Sequence, residues 1–208
     1  MLNISEIFYS IQGETSYTGL PTIFVRLAKC NLRCNYCDTK YSYQSDIYKS
    51  INEILDEVKS FKPIKLVCIT GGEPLLQNEV YALFNRLLQQ NYHILLETNG
   101  SLLINKVPMQ VIRIIDFKAP TSEMSDKNCW ENINYLNPVD EVKFVLQNRA
   151  DFLWAVKQVK QYNLTDKCKV LFSPVHNKLT YKQLANWILD VRMQIRLQLQ
   201  LHKLISIR

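Results

Sequence analysis

The order of elements in this sequence predicts an α/β protein, a parallel sheet or barrel with helices outside. Three observations carry the expectation. Short apolar runs alternate with amphipathic helical segments, the order that parallel βα units require. The run Ile64–Thr70 is apolar almost without interruption, as in a strand covered on both faces. The segments rich in cysteine, glycine and polar residues fall where strands end, and in such folds sites form at the C-terminal ends of strands.

Taken in order, Ser5–Ser10 reads as the first strand, followed by a turn-rich loop through Gly13 and Gly19-Leu20-Pro21. Thr22–Ala28 is the second strand and delivers the chain to a cysteine-rich stretch. Ser50–Phe61 places Ile51, Ile54, Leu55 and Val58 at helical spacing, with Ser50 as N-cap. The strand Ile64–Thr70 ends in Gly71-Gly72-Glu73-Pro74. Asn78–Gln90 carries Val80, Leu83, Phe84, Leu87 and Leu88 on one helical face. Strands follow over Tyr92–Thr98, ending at Asn99-Gly100, and over Val111–Phe117, ending at Lys118. Asp140–Leu146, Lys167–Phe172 and Ile195–Leu201 complete the set, with helices near 150–162 and 180–193. Thr180 and Gln183 have capping-box spacing. In the last strand Ile195, Leu197, Leu199 and Leu201 alternate with Arg196, Gln198 and Gln200. Its polar face has two open readings, the lumen of a barrel or water at a sheet edge.

A chain of 208 residues, 47% hydrophobic, suits one well-packed domain over 1–208. No apolar run is long enough to predict a membrane span. Met1–Glu6 lacks the basic and apolar regions of a signal peptide, so a cytoplasmic protein is expected. Six cysteines, three of them clustered, fit a reducing compartment better than a disulfide scaffold. Cys68 and Cys168 lie in apolar runs and read as buried structural thiols. The net charge of +6 is scattered without a basic run, which argues for a solvated surface rather than a nucleic-acid site.

The cysteine-rich stretch, Cys30-Asn31-Leu32-Arg33-Cys34-Asn35-Tyr36-Cys37, has the spacing C-x3-C-x2-C. Three soft thiolates in one loop suggest zinc or an iron–sulfur cluster. A structural zinc site wants four ligands, usually in two separated pairs, and no second C-x2-C or H-x3-H is present. Three ligands on a four-iron cluster leave one iron open, and open positions are what catalytic metal sites keep. Asn31 and Asn35 tolerate irregular backbone, and Arg33 favours thiolate over thiol.

Other motifs add chemistry. Gly71 and Gly72 let a ligand approach the backbone, and Glu73 is an acceptor for an ammonium group. Glu97-Thr98-Asn99-Gly100 is either a plain turn or a strand end facing the site. Ile11-Gln12-Gly13-Glu14 puts an amide and a carboxylate on a flexible turn, suited to the donor–acceptor edge of a heterocycle. Arg26, mid-strand in Phe24-Val25-Arg26-Leu27, needs an anion, either a structural ion-pair partner or a substrate carboxylate.

The cysteine spacing, with an aromatic residue before the last cysteine, resembles the signature of radical S-adenosylmethionine (SAM) enzymes. In that superfamily the open iron chelates SAM, which the reduced cluster splits into methionine and a 5′-deoxyadenosyl radical. Ile7-Phe8-Tyr9-Ser10-Ile11-Gln12-Gly13-Glu14, Gly19-Leu20-Pro21, Arg26 and Cys37-Asp38-Thr39 narrow the resemblance to the 7-carboxy-7-deazaguanine synthases. Asp116-Phe117-Lys118-Ala119-Pro120, Asp140–Val145, Phe172-Ser173-Pro174 and Gln198–Lys203 are similar to that family too.

The resemblance implies a single radical-SAM domain, a partial, modified (β/α) barrel with helices outside a mostly parallel curved sheet. It implies a lyase that converts 6-carboxy-5,6,7,8-tetrahydropterin to 7-carboxy-7-deazaguanine with loss of ammonia, towards queuosine and other 7-deazapurines. It places a [4Fe-4S] cluster on Cys30, Cys34 and Cys37. It places SAM among Tyr36, Cys37, Asp38, Gly72, Asp116, Phe117, Lys118, Ser173, Pro174, Val175 and His176. Ile11, Gln12, Gly13, Glu14, Arg26 and Thr70 would bind substrate, and Thr39 would ligate Mg²⁺. A flavodoxin or ferredoxin system would donate electrons, and the family resembles homodimers, with no direct nucleic-acid or membrane partner. Two features depart from the pattern: Lys29 stands where glycine is usual, and Leu204–Arg208 lacks a proline-containing end. Two other function classes stay open, a glycyl-radical enzyme activase and a non-catalytic metal-cluster binding module.

Overall fold

The computed structural model describes residues 1–207. β1 (Leu2–Ile11) runs antiparallel to β2 (Pro21–Leu27), with Glu6 opposite Arg26. β1 begins earlier than the predicted Ser5, because its first residues pair with β3 (Tyr48–Lys49). A two-residue strand carries no periodicity, so β3 has no signal of its own in the sequence. α1 (Ile51–Ser60) starts in a full capping box between Ser50 and Glu53. There follow β4 (Leu66–Gly71), α2 (Val80–Leu88), β5 (His93–Thr98), β6 (Ile112–Lys118) and β7 (Glu141–Leu146). The chain ends in α3 (Arg149–Gln161), α4 (Leu164–Lys167), β8 (Lys169–Pro174), α5 (Tyr181–Val191), β9 (Ile195–Leu197) and α6 (Leu201–Leu204). α4 is a single turn in the stretch that the sequence reading left unassigned between the helix near 150–162 and the strand predicted from Lys167. The capping box of α5, Thr180 with Gln183, forms as its spacing predicted.

One nine-stranded sheet results, in the order β3-β1-β2-β4-β5-β6-β7-β8-β9. From β2 onward every neighbouring pair is parallel. The sheet is mostly parallel, as predicted, and β3 and β9 remain its edges. The loop after β1 nevertheless reaches β9, where Arg196 donates to Ser16 Oγ at 3.1 Å. Contact between the start and end of the strand order requires the sheet to curl around its inner face.

β9 is shorter than the predicted Ile195–Leu201, and the reason lies in its glutamines. Gln198 N still bonds to Phe172 O, but the side chains of Gln198 and Gln200 are buried, not solvated. Gln198 Nε2 donates to Thr18 Oγ1 at 3.4 Å, and Gln200 Nε2 to Glu14 Oε1 at 2.8 Å. The strand is an edge strand whose polar residues are captured by the loop closing over the sheet, so the chain leaves the ladder after Leu197.

The two faces of the sheet are built differently. Outside, Ile54, Leu55 and Val58 of α1, Leu83, Phe84 and Leu87 of α2, and Phe152 and Val159 of α3 pack on Val67, Ile69, Leu96, Phe144 and Phe172. Each such buried side chain contributes about 1.5–3 kcal/mol. Inside, a small separate layer of Phe24, Cys68, Leu95 and Ile114 closes the N-terminal end of the strands, with Phe8 stacked on Phe24 at 4.9 Å. Above that layer the inner face opens into a cavity. Among the described residues no helix is long and apolar enough to cross a membrane.

Candidate active site

The cavity, about 780 Å³, lies where the C-terminal ends of the strands meet the inner face. Cys30, Cys34 and Cys37 line it, each partly exposed, and the thiols are free. Their loop is anchored from beneath. Glu73 N donates to Lys29 O at 2.9 Å, and Gly72 N to Leu27 O at 3.1 Å. A Cβ at Gly72 would stand 2.2 Å from Lys29 O and 2.8 Å from Cys30 Cβ, so only glycine lets the thiol loop lie against β4.

Glu73 corrects an expectation. Its carboxylate is fully buried and does not line the cavity. It accepts from Thr98 Oγ1 (2.9 Å), Asn99 N (2.7 Å) and Leu75 N (3.0 Å), which leaves it no role as partner for an ammonium group. Burial raises its pKa, against the opposing pull of those hydrogen bonds. Asn99, thus fixed, donates from Nδ2 to Cys30 Sγ at 3.7 Å and to Asn31 Oδ1 at 3.0 Å. Glu73 therefore ties the ends of β4 and β5 to the thiol loop.

A second group of polar side chains follows the register of the strands. Glu6 of β1 faces Arg26 of β2, and Arg26 faces Thr70 of β4. Thr70 Oγ1 donates to Glu97 Oε2 of β5 at 3.1 Å, and Gln12 Nε2 approaches Glu97 Oε1 at 3.5 Å. Arg26 Nε bonds Glu6 Oε1 at 2.8 Å, so the structural ion pair exists, yet Arg26 also lines the cavity. Both readings of Arg26 are therefore compatible with its position.

Deeper in, Lys118 pairs with Asp116 at 3.1 Å, Asp116 with Lys143 at 3.5 Å, and Lys143 with Glu14 at 2.7 Å. Burial disfavours charge on both lysines, but the flanking carboxylates override it and raise their pKa values. Burial likewise pushes Glu14 up, and Lys143 and Gln200 bring it below the ordinary carboxylate value. Lys118, Lys143 and Glu14 thus each have the charged form favoured by their neighbours. Asp116 Oδ1 is a buried acceptor without a partner, an unsatisfied group that a ligand donor would complete.

α6 lies at the mouth, where His202 and Lys203 line the cavity. Leu201 N donates to Gly13 O at 2.8 Å, and a Cβ at Gly13 would strike the His202 ring at 2.1 Å. Lys203 Nζ pairs with Asp38 Oδ2 at 2.5 Å. Burial would raise the Asp38 pKa, but Lys203 outweighs it and holds the carboxyl at about 2. Thr39 Oγ1 donates to Asp38 Oδ1 at 2.9 Å.

Most residues expected at the site do line the cavity: Ile11, Gln12, Gly13, Glu14, Arg26 and Thr70, with Tyr36, Asp38, Thr39, Gly72, Asp116, Lys118, Val175 and His176. Three do not. Phe117 points to the outer face, stacked on Trp130 at 4.5 Å, because alternation along β6 turns it away from its neighbours Asp116 and Lys118. Ser173 and Pro174 are buried below the cavity wall, and only Val175 and His176 of that turn reach it. Glu97 and Gln200 line the cavity as well, which favours the strand-end reading of Glu97-Thr98-Asn99-Gly100 and the lumen reading of Gln200. Conversely Lys143 and His202 line it without having been assigned a role in it, and inward alternation along β7 was the available signal for Lys143.

The thiols fit an iron–sulfur cluster. They share one cavity wall, and three cysteines on one loop are the donor set that such a cluster takes.

A family model described as the radical SAM superfamily matches residues 25–118. The 7-carboxy-7-deazaguanine synthase of Chlorobaculum tepidum is 44% identical over 98% of this chain and 94% of its own length. That of Koribacter versatilis is 42% identical, over 98% and 96%. The crystal structure of QueE from Escherichia coli shares the fold, with a TM-score of 0.81 at 20% identity over 97% of this chain and 94% of that one. Superfamily membership implies a [4Fe-4S] cluster and SAM. The chain belongs to the 7-carboxy-7-deazaguanine synthase family of radical SAM enzymes.

Proposed function

We infer that the chain converts 6-carboxy-5,6,7,8-tetrahydropterin to 7-carboxy-7-deazaguanine with loss of ammonia, in 7-deazapurine biosynthesis. The observation that carries the reading is one cavity holding both a three-thiol loop and a graded wall of donors and acceptors. Cys30, Cys34 and Cys37 would hold the cluster. Gly72, Tyr36, Asp38, Asp116, Lys118, Val175 and His176 would surround SAM. When bound, cluster and SAM supply a 5′-deoxyadenosyl radical for hydrogen abstraction.

The chain's own residues then bind and orient. Arg26 offers a guanidinium to a carboxylate, a planar fork matched to two oxygens. Glu97, held by Thr70 and approached by Gln12, accepts hydrogen bonds from ring N–H groups, while Gln12 contributes an amide of both signs. Phe8, Phe24 and Ile114 give the ring system an apolar floor. α6, tied to Gly13 at the mouth, would limit the access of water to the reacting carbon.

Thr39 is our candidate for a Mg²⁺ ligand. Mg²⁺ prefers hard oxygens, keeps several waters and takes few protein groups. Because Thr39 gives its hydrogen to Asp38, its oxygen keeps its lone pairs for a cation. The electron donor would be a flavodoxin or ferredoxin system. Anaerobic cluster reconstitution followed by reductant, SAM and carboxytetrahydropterin tests the reading, with products weighed by mass spectrometry. Formation of carboxydeazaguanine with ammonia is expected; SAM cleavage without that product overturns the substrate.

A further inference from the structure

Resting on that reading, we propose that Glu141 is a positioning residue for the pterin substrate. From beneath the cavity it anchors, with Arg196, the loop that carries Gln12, Gly13 and Glu14 to the substrate. Glu141 is fully buried at the start of β7 and does not line the cavity. Both its carboxylate oxygens accept from one group, the backbone N–H of Ser16, at 3.0 and 3.2 Å. Lys169 Nζ stands 4.0 Å away.

The contact belongs to a pattern. Glu141 and Lys143 are two apart on β7 and so share its inner face. The loop residues they hold are also two apart: Glu141 takes Ser16, and Lys143 takes Glu14 at 2.7 Å. β9 grips the same loop, where Arg196 donates to Ser16 Oγ, Gln198 to Thr18 Oγ1 and Gln200 to Glu14 Oε1. The loop also closes on itself, with Gly19 N donating to Gln12 O and Gln12 N to Leu20 O, each at 2.8 Å. Side chains of β7 and β9 therefore set its place over the inner face, and Glu141 is the member that holds its backbone.

Thr15 carries a separate argument. It lies between the two held residues, with φ +68° and 1% exposure. A β-branched residue in the left-handed region is strained. Such strain persists only where the surroundings over-determine it. Lys143 and Gln200 fix Glu14 on one side, and Glu141 and Arg196 fix Ser16 on the other. Released at Ser16, the kink relaxes and carries Glu14 and Gln12 away from the substrate.

The test compares variants of the cluster-loaded enzyme with carboxytetrahydropterin. Glu141→Ala should raise KM about tenfold. Glu141→Gln keeps an acceptor oxygen for Ser16 N and should stay within about threefold of the parent. Val142→Ala, on the outer face of the same strand, is the control for lost stability. Partial unfolding lowers the amount of active enzyme, and with it the apparent kcat, so this control should keep the parent KM. In apoprotein, where neither cofactor nor substrate enters, hydrogen exchange at the Ser16 and Gly19 amides should quicken in Glu141→Ala. Should that variant fail to fold, Arg196→Ala removes the other bond to Ser16 from an exposed position. Its KM should rise about two- to threefold. An unchanged KM in folded Glu141→Ala, or in Arg196→Ala where it stands in, overturns the anchor. So do an equal rise in Val142→Ala and an unchanged exchange rate at Ser16. A parent enzyme that turns over no pterin would instead sink the substrate reading, and the exchange rates would then decide the anchor alone.

Discussion

The two faces of this sheet follow opposite rules. The helix-facing side is apolar and continuous, and its members are close neighbours in a periodic pattern. The cavity-facing side carries Arg26, Thr70, Glu97, Asp116 and Lys143, which are polar residues within strands, most of them towards the C-terminal ends. Burying such groups costs free energy unless each finds a partner. Here the partners come from far along the chain: Glu14 with Lys143, Gln200 with Glu14, Thr70 with Glu97. The difference shows where stability is made and where it is spent. The outer face supplies the fold's free energy, and the inner face spends part of it on charges held ready for a ligand.

The sharpest way to break this comparison is through the cysteines, because they occur on both sides of it. We expect Cys30→Ala, Cys34→Ala or Cys37→Ala each to abolish cluster loading and SAM cleavage. Cys68→Ala and Cys168→Ala should load iron like the parent. Burial pushes the Cys68 thiol far up and the Cys168 thiol to about 12, so neither should alkylate at neutral pH in folded protein. Iron content and iodoacetamide labelling check both claims. A folded Cys68 variant lacking the cluster would mean the ligand set is misassigned.

The second largest effect belongs to the outer face. Phe144 is fully buried and contacts Phe117, Trp154 and Phe172. Phe144→Ala should cost about 3–5 kcal/mol in urea unfolding. At low denaturant it should still bind the cluster, since Phe144 contributes nothing to the cavity wall. Loss of binding in the folded variant would show that the faces are not separable.

How much of this was legible follows the same division. α2 could be read because Val80, Leu83, Phe84 and Leu87 repeat at helical spacing, and both capping boxes follow from two residues each. The strand order could not, since nothing local records that β3 joins β1 or that β9 ends at Leu197. The thiol loop was legible because its chemistry is compact. Lys143 was not assigned a role because its meaning depends on Glu14, 129 positions away. Glu73 was misread because a carboxylate after two glycines resembles a ligand group until Thr98 and Asn99 are seen to consume it.

Glu73 and Glu97 sharpen the comparison as two carboxylates at the ends of adjacent strands, one satisfied and one facing the cavity. Glu73→Gln removes one acceptor oxygen from a buried, fully bonded site, and should cost about 1–3 kcal/mol of stability. It should also loosen the thiol loop through Asn99, seen as faster hydrogen exchange at Cys30 and Asn31. A Glu73→Gln protein as stable as its parent would show that this anchor is dispensable.

Arg26 lies on the border, since its Nε belongs to Glu6 and its position to the cavity. Arg26→Lys keeps charge but removes the planar fork. KM for the carboxylated pterin should rise about tenfold, or about 1.4 kcal/mol, with SAM cleavage in the absence of substrate retained. An unchanged KM would return Arg26 to a purely structural role.

The smallest effect is expected at Lys29, and it runs in the opposite direction. A side chain in the left-handed region costs about 1–2 kcal/mol relative to glycine. Glycine in turn widens the unfolded ensemble, a loss of about 0.4–1 kcal/mol. The Lys29 side chain is exposed and makes no ion pair among the described residues, so its removal takes away no compensating contact. Lys29→Gly should therefore stabilise the apoprotein by about 0.5–1 kcal/mol, the difference of those two quantities. Urea unfolding with an unchanged m-value would read it cleanly, because the substitution alters neither the surface buried nor the sheet. A destabilised Lys29→Gly protein would mean that the lysine holds the loop against Ser42 through its side chain and not only through its backbone.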